Sequence, residues 1–477
     1  MSQKVHAGGA VDTRWRAMTV ALIAAFMTLL DVSIVNVALP SIQDDLGLSS
    51  GGLQWVLSGY ALAFGLVLVP AGRFGDAHGR RRLFVLGLGG FTLASAAAGL
   101  AESELWLICA RLVQGASAGM VNPQVSGLVQ QMFKPAERGK PFGALGATIG
   151  ISTALGPLLG GVIIAIAGAE DGWRWIFYIN VPVGVVAIVL GTRWIPGPPA
   201  EHRQRQGVDP VGVVLLGAGV ALVLLPLVQE RQWHGPIVWL LILAGLAVLG
   251  LFVVWEARQL RRGGSPLVDL RLFRRRSFAL GSLLALAYFA GFTTTFFIFT
   301  LFLQNGLRYS PLEAGLTVTP FALGSASGAL LGGRIVNRYG RALVVTGLCM
   351  VISGLALVIL ALHFVAGRGG GFATALPLLL AGIGSGLVIS PNQNLTLSQV
   401  PVAEAGSAGG VLQTGQRIGS AIGIAAIGAV FFGQLASNGG QYAPAFRTSL
   451  YVTIGFMAIA LAAATTDVVA GRRAERR

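Results

Sequence analysis

Charge is scarce in this sequence. Of 477 residues, 11% are Asp, Glu, Lys or Arg, against about a quarter in a soluble globule, which excludes an ordinary water-soluble domain. Acids are the scarcer sign, 19 against 34 basic residues. The only cysteines, Cys109 and Cys349, lie in separate apolar runs, so neither a thiol metal site nor a redox pair has its spacing. No nucleotide loop, metal cluster or catalytic triad is visible. An enzyme therefore lacks its chemistry, no cofactor is implied, and transport would have to run on an ion gradient. A membrane receptor would need a soluble sensing domain or long tail, and neither is seen.

What fills the chain is apolar: 54% of it is hydrophobic. Spans need about twenty mostly apolar residues, and fourteen candidates begin near Trp15, Gly52, Leu83, Leu105, Lys140, Trp175, Val208, Pro236, Ser277, Pro311, Ala342, Phe372, Gly406 and Phe446. The first, Trp15 to Pro40, is too long for a signal-peptide core and is kept as a helix. With the N-terminus placed inside, 27 Lys and Arg fall in inner loops and tails and 5 in outer loops. This is the positive-inside pattern. It puts both termini in the cytoplasm and accounts for the net charge of +15 without nucleic acid.

Two segments run in parallel 267 residues apart. Gly115-Ala-Ser-Ala-Gly119-Met-Val-Asn-Pro123-Gln124 matches Gly382-Ile-Gly-Ser-Gly386-Leu-Val-Ile-Ser-Pro391-Asn-Gln393. Each is followed by a polar turn, Pro135 to Gly139 or Pro401 to Gly406. Gly72-Arg73-Phe-Gly-Asp76-Ala-His-Gly79-Arg80 likewise matches Gly333-Arg-Ile-Val-Asn337-Arg-Tyr-Gly340-Arg341. The expectation is an all-α integral membrane protein of two six-helix bundles, residues 1–200 and 265–477, with two inserted helices at 201–264. Two such bundles rocking about a central site are the physical basis of alternating access.

Asp31 is the one carboxylate deep inside a membrane-length apolar run, and an ionisable group there usually marks a proton or substrate pathway. Counting 1.5 Å per residue, Asp31 lies about 14 Å from the outer end of helix 1 and Arg111 about 10 Å from that of helix 4. The two charges sit at similar depth, so Asp31 is expected to exchange protons and Arg111 to tune it, by direct pairing or through water. Asn36, Gln54, Tyr60, Gln114, Asn122, Asn392 and Gln413 are polar groups within spans suited to orienting a substrate. Phe292 and Phe296, on the aromatic ninth span, could line its cavity. Arg417 adds a second deep cation, on helix 13, where no acid is present.

These residues are also familiar as a set. Leu30-Asp31-Val-Ser-Ile-Val-Asn36-Val-Ala-Leu-Pro40, Gly72 to Arg82, Arg111-Leu-Val-Gln114-Gly115, Gly156-Pro157-Leu-Leu-Gly160-Gly161 and Ile179-Asn180-Val-Pro182-Val-Gly184 occur in order. The chain resembles the fourteen-helix drug:proton antiporters of the major facilitator superfamily over essentially its whole length. That resemblance implies a proton-coupled antiporter exporting amphiphilic drugs or antibiotics across the cytoplasmic membrane, with protons, lipid and a small amphiphile as its partners. An alternative is a proton-coupled transporter of one endogenous metabolite or lipid. The resemblance also assigns conformational gating to Gly72, Arg73, Asp76, Gly79 and Arg80, and direction of exchange to Gly156, Pro157, Gly160 and Gly161. The family usually has a basic residue after this Asp; here it is Ala77. Neither the substrate nor an accessory protein is named by the sequence.

Overall fold

The computed structural model describes residues 5–168, 171–197, 209–228, 236–365 and 367–475, and every regular element among them is helical. The N-terminal half holds α1 (Val5–Leu46), α2 (Ser50–His78), α3 (Arg80–Gly99), α4 (Glu104–Met132), α5 (Gly139–Ala167), α6 (Gly172–Tyr178) and α7 (Asn180–Trp194). The inserted pair is α8 (Pro210–Val228) and α9 (Pro236–Arg261). The C-terminal half holds α10 (Arg276–Leu301), α11 (Pro311–Tyr339), α12 (Arg341–Phe364), α13 (Gly369–Ala373), α14 (Ala375–Leu397), α15 (Ala405–Ser437) and α16 (Tyr442–Glu475).

Local chemistry sets the ends of these helices. Ser49 Oγ accepts from Gly52 N at 2.9 Å to start α2, and Ser310 and Glu313 form a reciprocal capping box at α11, satisfying N–H groups a helix start leaves orphaned. α2 stops at Gly79, φ +103°, and α11 at Gly340, φ +54°. Both are glycines of the repeated motif, in backbone that a side chain would strain.

Among the described residues eleven helical stretches are long and apolar enough to cross a membrane, or twelve if α5, bent by 45° between Thr153 and Leu158, counts as one span. Two expected spans fall outside that count, although both are helical. α4 is long but carries Arg111, Gln114, Asn122 and Gln124, and the apolar stretch Pro210–Pro226 is short. Large apolar side chains such as Leu93, Val214, Trp239 and Leu376 point outward, exposed, as suits a chain whose solvent there is lipid.

Helix pairs α2–α4, α3–α4 and α1–α5 build the N-terminal half, and α11–α14, α12–α14 and α10–α15 the other; the halves meet along α5–α11 and α2–α15. α8 and α9 pack on each other, with α8 against α2 and α15, so α8 lies along one seam and α9 behind it. At the end bearing Arg80 and Arg341 the seams are closed by glycines. A Cβ on Gly72 would lie 2.3 Å from the carbonyl oxygen of Gly406, and one on Gly333 2.4 Å from that of Gly139. Gly72 and Gly333 are partners in the repeat, and so are the turn glycines Gly139 and Gly406. The internal repeat thus reappears as two equivalent backbone crossings. Contacts continue to mid-span, where Gly146 faces Ser390 and Gly150 faces Ser325. From the bend onward α5 leans on α1 instead, with Gly156 against Ser33 and Gly160 against Ile34.

Candidate functional site

The close approach of α2 and α4 comes first. A Cβ on Gly115 would lie 2.2 Å from the carbonyl oxygen of Tyr60, so only glycine lets α4 come this near. Arg111 then reaches across: its Nε donates to Val56 O at 3.0 Å, and its guanidinium lies 4.4 Å from the Tyr60 ring centre. Its Nη1 donates to Asp31 Oδ2 at 2.5 Å and to Gln114 Oε1 at 2.6 Å. The other carboxylate oxygen, Asp31 Oδ1, accepts from Gln114 Nε2 at 2.8 Å and from Asn180 Nδ2 at 3.0 Å. Gln114 Nε2 also donates to Ser95 Oγ at 2.8 Å. Asp31, Arg111 and Gln114 are all within 1% of full burial.

One carboxylate therefore ties α1 to α4 and α7, and through its partners to α2 and α3. The ionised form has both oxygens satisfied, as a buried charge requires. Oδ2 holds one donor and Oδ1 two, so the carboxylate acts only as an acceptor in this five-helix knot. In the sequence Asn180 stands inside the Ile179–Gly184 motif and Ser95 inside an apolar run, and a polar residue in an apolar span is the signal that marks both.

The other expected cavity residues scatter. Tyr60 is buried beside Arg111, its hydroxyl donating to Thr28 O at 3.1 Å, and Asn122 Nδ2 reaches Thr28 Oγ1 at 3.3 Å. Gln413 of α15 approaches Asn122 O at 3.5 Å across the seam. Gln54 is half-buried near the start of α2. Asn36 is exposed and donates to Val32 O of its own helix, so it stands apart from Asp31. Asn392 lies within the C-terminal half, accepting from Arg341 and donating to Gly281 O at 3.0 Å. Arg341 pairs there with Asp467 at 2.7 Å, so Asn392 belongs to a structural network at the basic end. Phe292 and Phe296 meet Phe321 around an apolar cavity of about 30 Å³ inside the C-terminal half. That volume holds about one water, so these rings are packed in this conformation.

Of the residues expected to gate, Gly72, Asp76 and Arg80 lie at the seam. Asp76 accepts from Gly406 N at 3.0 Å and Ser407 N at 2.8 Å, capping α15 of the opposite half. Arg80 Nη2 pairs with Asp76 at 2.7 Å, and the same guanidinium bonds Gly127 O and the carbonyl of Val402. Arg80 thus serves where Ala77 supplies no charge. Arg73 is buried, with no acceptor for its Nε among the described residues. The repeat partner of Asp76, Asn337, donates to Ala136 O at 2.6 Å, so the second seam is bonded without a carboxylate. In α5, Gly156 and Gly160 pack on α1 while Gly161 faces open space; of Pro157 only the helical backbone is described.

Charge-assisted bonds of this kind contribute about 1.5–3 kcal/mol each. Asp76→Ala is expected to loosen the closed basic end by roughly tenfold or more, since 1.4 kcal/mol is tenfold. A cysteine placed at Ala329, fully buried at the seam, reports it in a background lacking Cys109 and Cys349. Its alkylation should quicken in the variant; an unchanged rate would remove Asp76 from gating.

Comparison with known proteins agrees with this architecture. A profile of the Major Facilitator Superfamily matches residues 21–424. The chain is 39% identical over 427 residues to a probable actinorhodin transporter of Streptomyces coelicolor, covering 89% of this chain and 74% of that one. It is 31% identical to a tetracenomycin C resistance and export protein of Streptomyces glaucescens, covering 88% and 77%. Among solved structures, the proton:xylose symporter XylE superposes with a TM-score of 0.67 at 14% identity, covering 94% of this chain and 95% of that one. That likeness speaks for the fold alone.

Proposed function

The chain belongs to the Major Facilitator Superfamily, a transporter and no enzyme, and on that footing we propose that it exports amphiphilic antibiotics or drugs across the cytoplasmic membrane in exchange for protons. The observation that carries the reading is Asp31, the buried carboxylate held by Arg111, Gln114 and Asn180. The relatives named for actinorhodin and tetracenomycin C supply the substrate class. We take the fourteen-helix arrangement, with both termini in the cytoplasm, as part of the same proposal. The basic end is then cytoplasmic, and it is the end that the glycine crossings close.

In the mechanism we propose, a proton entering from outside neutralises Asp31 and frees Arg111. Five helices of the N-terminal half lose their common tie, and α5, whose Gly156 rests on α1 beside Asp31, shifts with α1. The seams at Gly72 and Gly333 then open inward. Loss of the proton to the cytoplasm re-forms the knot once substrate is loaded.

The test uses inverted membrane vesicles with an acidic interior and three dyes: Nile red, rhodamine 123 and fluorescein. Uptake of at least one is expected to require the pH gradient and to stop when a protonophore collapses it. Uptake indifferent to the gradient would refute proton coupling. No uptake of any dye would refute amphiphile export.

A further inference from the structure

Arg417 is the deep cation that this mechanism leaves unused. It sits on α15 at the seam, with its guanidinium 4.4 Å from the ring centre of Phe64 on α2. Among the described residues no carboxylate pairs with it. The contrast with its surroundings is sharp. The other deep cation, Arg111, is neutralised by Asp31 at 2.5 Å; at the basic end Arg80 and Arg341 have Asp76 and Asp467, while Arg138 is held by the backbone carbonyls of Phe133 and Gln130. At mid-span, then, one positive charge is left over.

The rings beside it form a stack. Arg111 lies over Tyr60, Tyr60 stacks on Phe64 at 6.2 Å, and Arg417 lies over the Phe64 ring. Two cations of opposite bundles thus share one aromatic pair, one of them compensated and one open. A ring face attracts a cation only modestly, and a charge inside a membrane segment ordinarily finds an opposite charge or marks a substrate path. One helical turn before Arg417, Gln413 contributes a further amide, directed at Asn122 O.

We propose that Arg417 is the subsite for the anionic group of the exported compound, and that the preferred substrates are amphiphiles bearing a carboxylate, enolate or phenolate. This rests on the export reading above and narrows it. A planar guanidinium matches such groups with two parallel donors. Net positive potential at the seam disfavours cationic drugs. A second consequence follows from charge balance. One anion leaving for one proton entering moves two positive charges inward, so the membrane potential drives export along with the pH gradient.

The experiment compares fluorescein with rhodamine 123, xanthene dyes of like shape and opposite charge, and with neutral Nile red in the same vesicles. In the native chain fluorescein uptake should exceed rhodamine 123 uptake by about tenfold, and a valinomycin-imposed, interior-positive potential should increase it. Arg417→Gln should lower the fluorescein to Nile red ratio by about tenfold, with Arg417→Lys restoring much of it. Preference of the native chain for rhodamine 123, indifference to potential, or an unchanged ratio in Arg417→Gln would each overturn the subsite. The native-chain preference and its potential dependence decide the matter even if Arg417→Gln does not fold. Gradient-driven Nile red uptake without fluorescein uptake would sink the subsite and spare the export reading. If no dye is taken up at all, both fall together.

Discussion

Asp31→Asn is expected to reduce gradient-driven dye uptake to the leak of empty vesicles. Asparagine keeps the shape of the carboxylate but can neither bind a proton nor release one. It also places an amide against a site built of donors, where Gln114 and Asn180 already point N–H groups at Oδ1. Arg111 is left buried without its counter-ion. Removing one partner of a buried pair costs about 3–5 kcal/mol, so the apparent melting temperature should fall as well. The double variant Asp31→Asn with Arg111→Gln removes the orphaned charge. It should recover much of the thermal stability and none of the gradient-driven uptake. Full uptake by Asp31→Asn would place coupling elsewhere in the chain. Recovery of uptake in the double variant would mean that the pair is structural.

Substitution at the crossing glycines should be nearly as severe. Gly72→Val and Gly333→Val each put side-chain atoms where backbone now stands, with the Cβ alone 2.3 Å and 2.4 Å from an opposing carbonyl oxygen. Backbone inside two packed helices cannot yield cheaply, so either change forbids the closed basic end. The seam cysteine at Ala329 should become permanently reactive and transport should stop, since one of the two alternating states no longer exists. The repeat makes the prediction stricter: both glycines, in different halves, must give the same phenotype. Gly89→Ala on α3, where a Cβ would meet nothing within 4 Å, is the control and should remain active. Transport by either valine variant at the native rate would show that these crossings do not form the gate.

Much of this was legible along the chain because it is written in short-range code. Apolar runs of membrane length separated by basic clusters give an all-helical membrane protein with a parallel repeat, since hydrocarbon leaves unpaired backbone no option but the helix. Asp31 and Arg111 stood out for the same reason, as charges where charge is costly. The number of spans was less secure in the sequence. α4 is too polar and the stretch Pro210–Pro226 too short to be counted by length and composition, because a helix buried inside a bundle can be polar and one lying along a seam can be brief.

The candidate site itself divides along that line. Which groups are polar and at what depth is a property of the sequence, but helical period alone does not say which neighbour each side chain meets. Asn36 and Asp31 are one and a half turns apart on α1, yet one is exposed and the other sealed by α4 and α7. Asn392, equally polar and equally embedded, turned out to brace Arg341. By itself the sequence determined the membrane class, the repeat, the basic clusters and the three deep charges Asp31, Arg111 and Arg417, through hydrophobicity and spacing. Only the tertiary structure decided that Asp31 is fully satisfied, that Asp76 caps a helix of the other half, and that Arg417 meets no carboxylate among the described residues. Those are statements about pairs of residues tens to hundreds of positions apart, and helix packing alone brings such residues within a hydrogen bond of one another or keeps them apart.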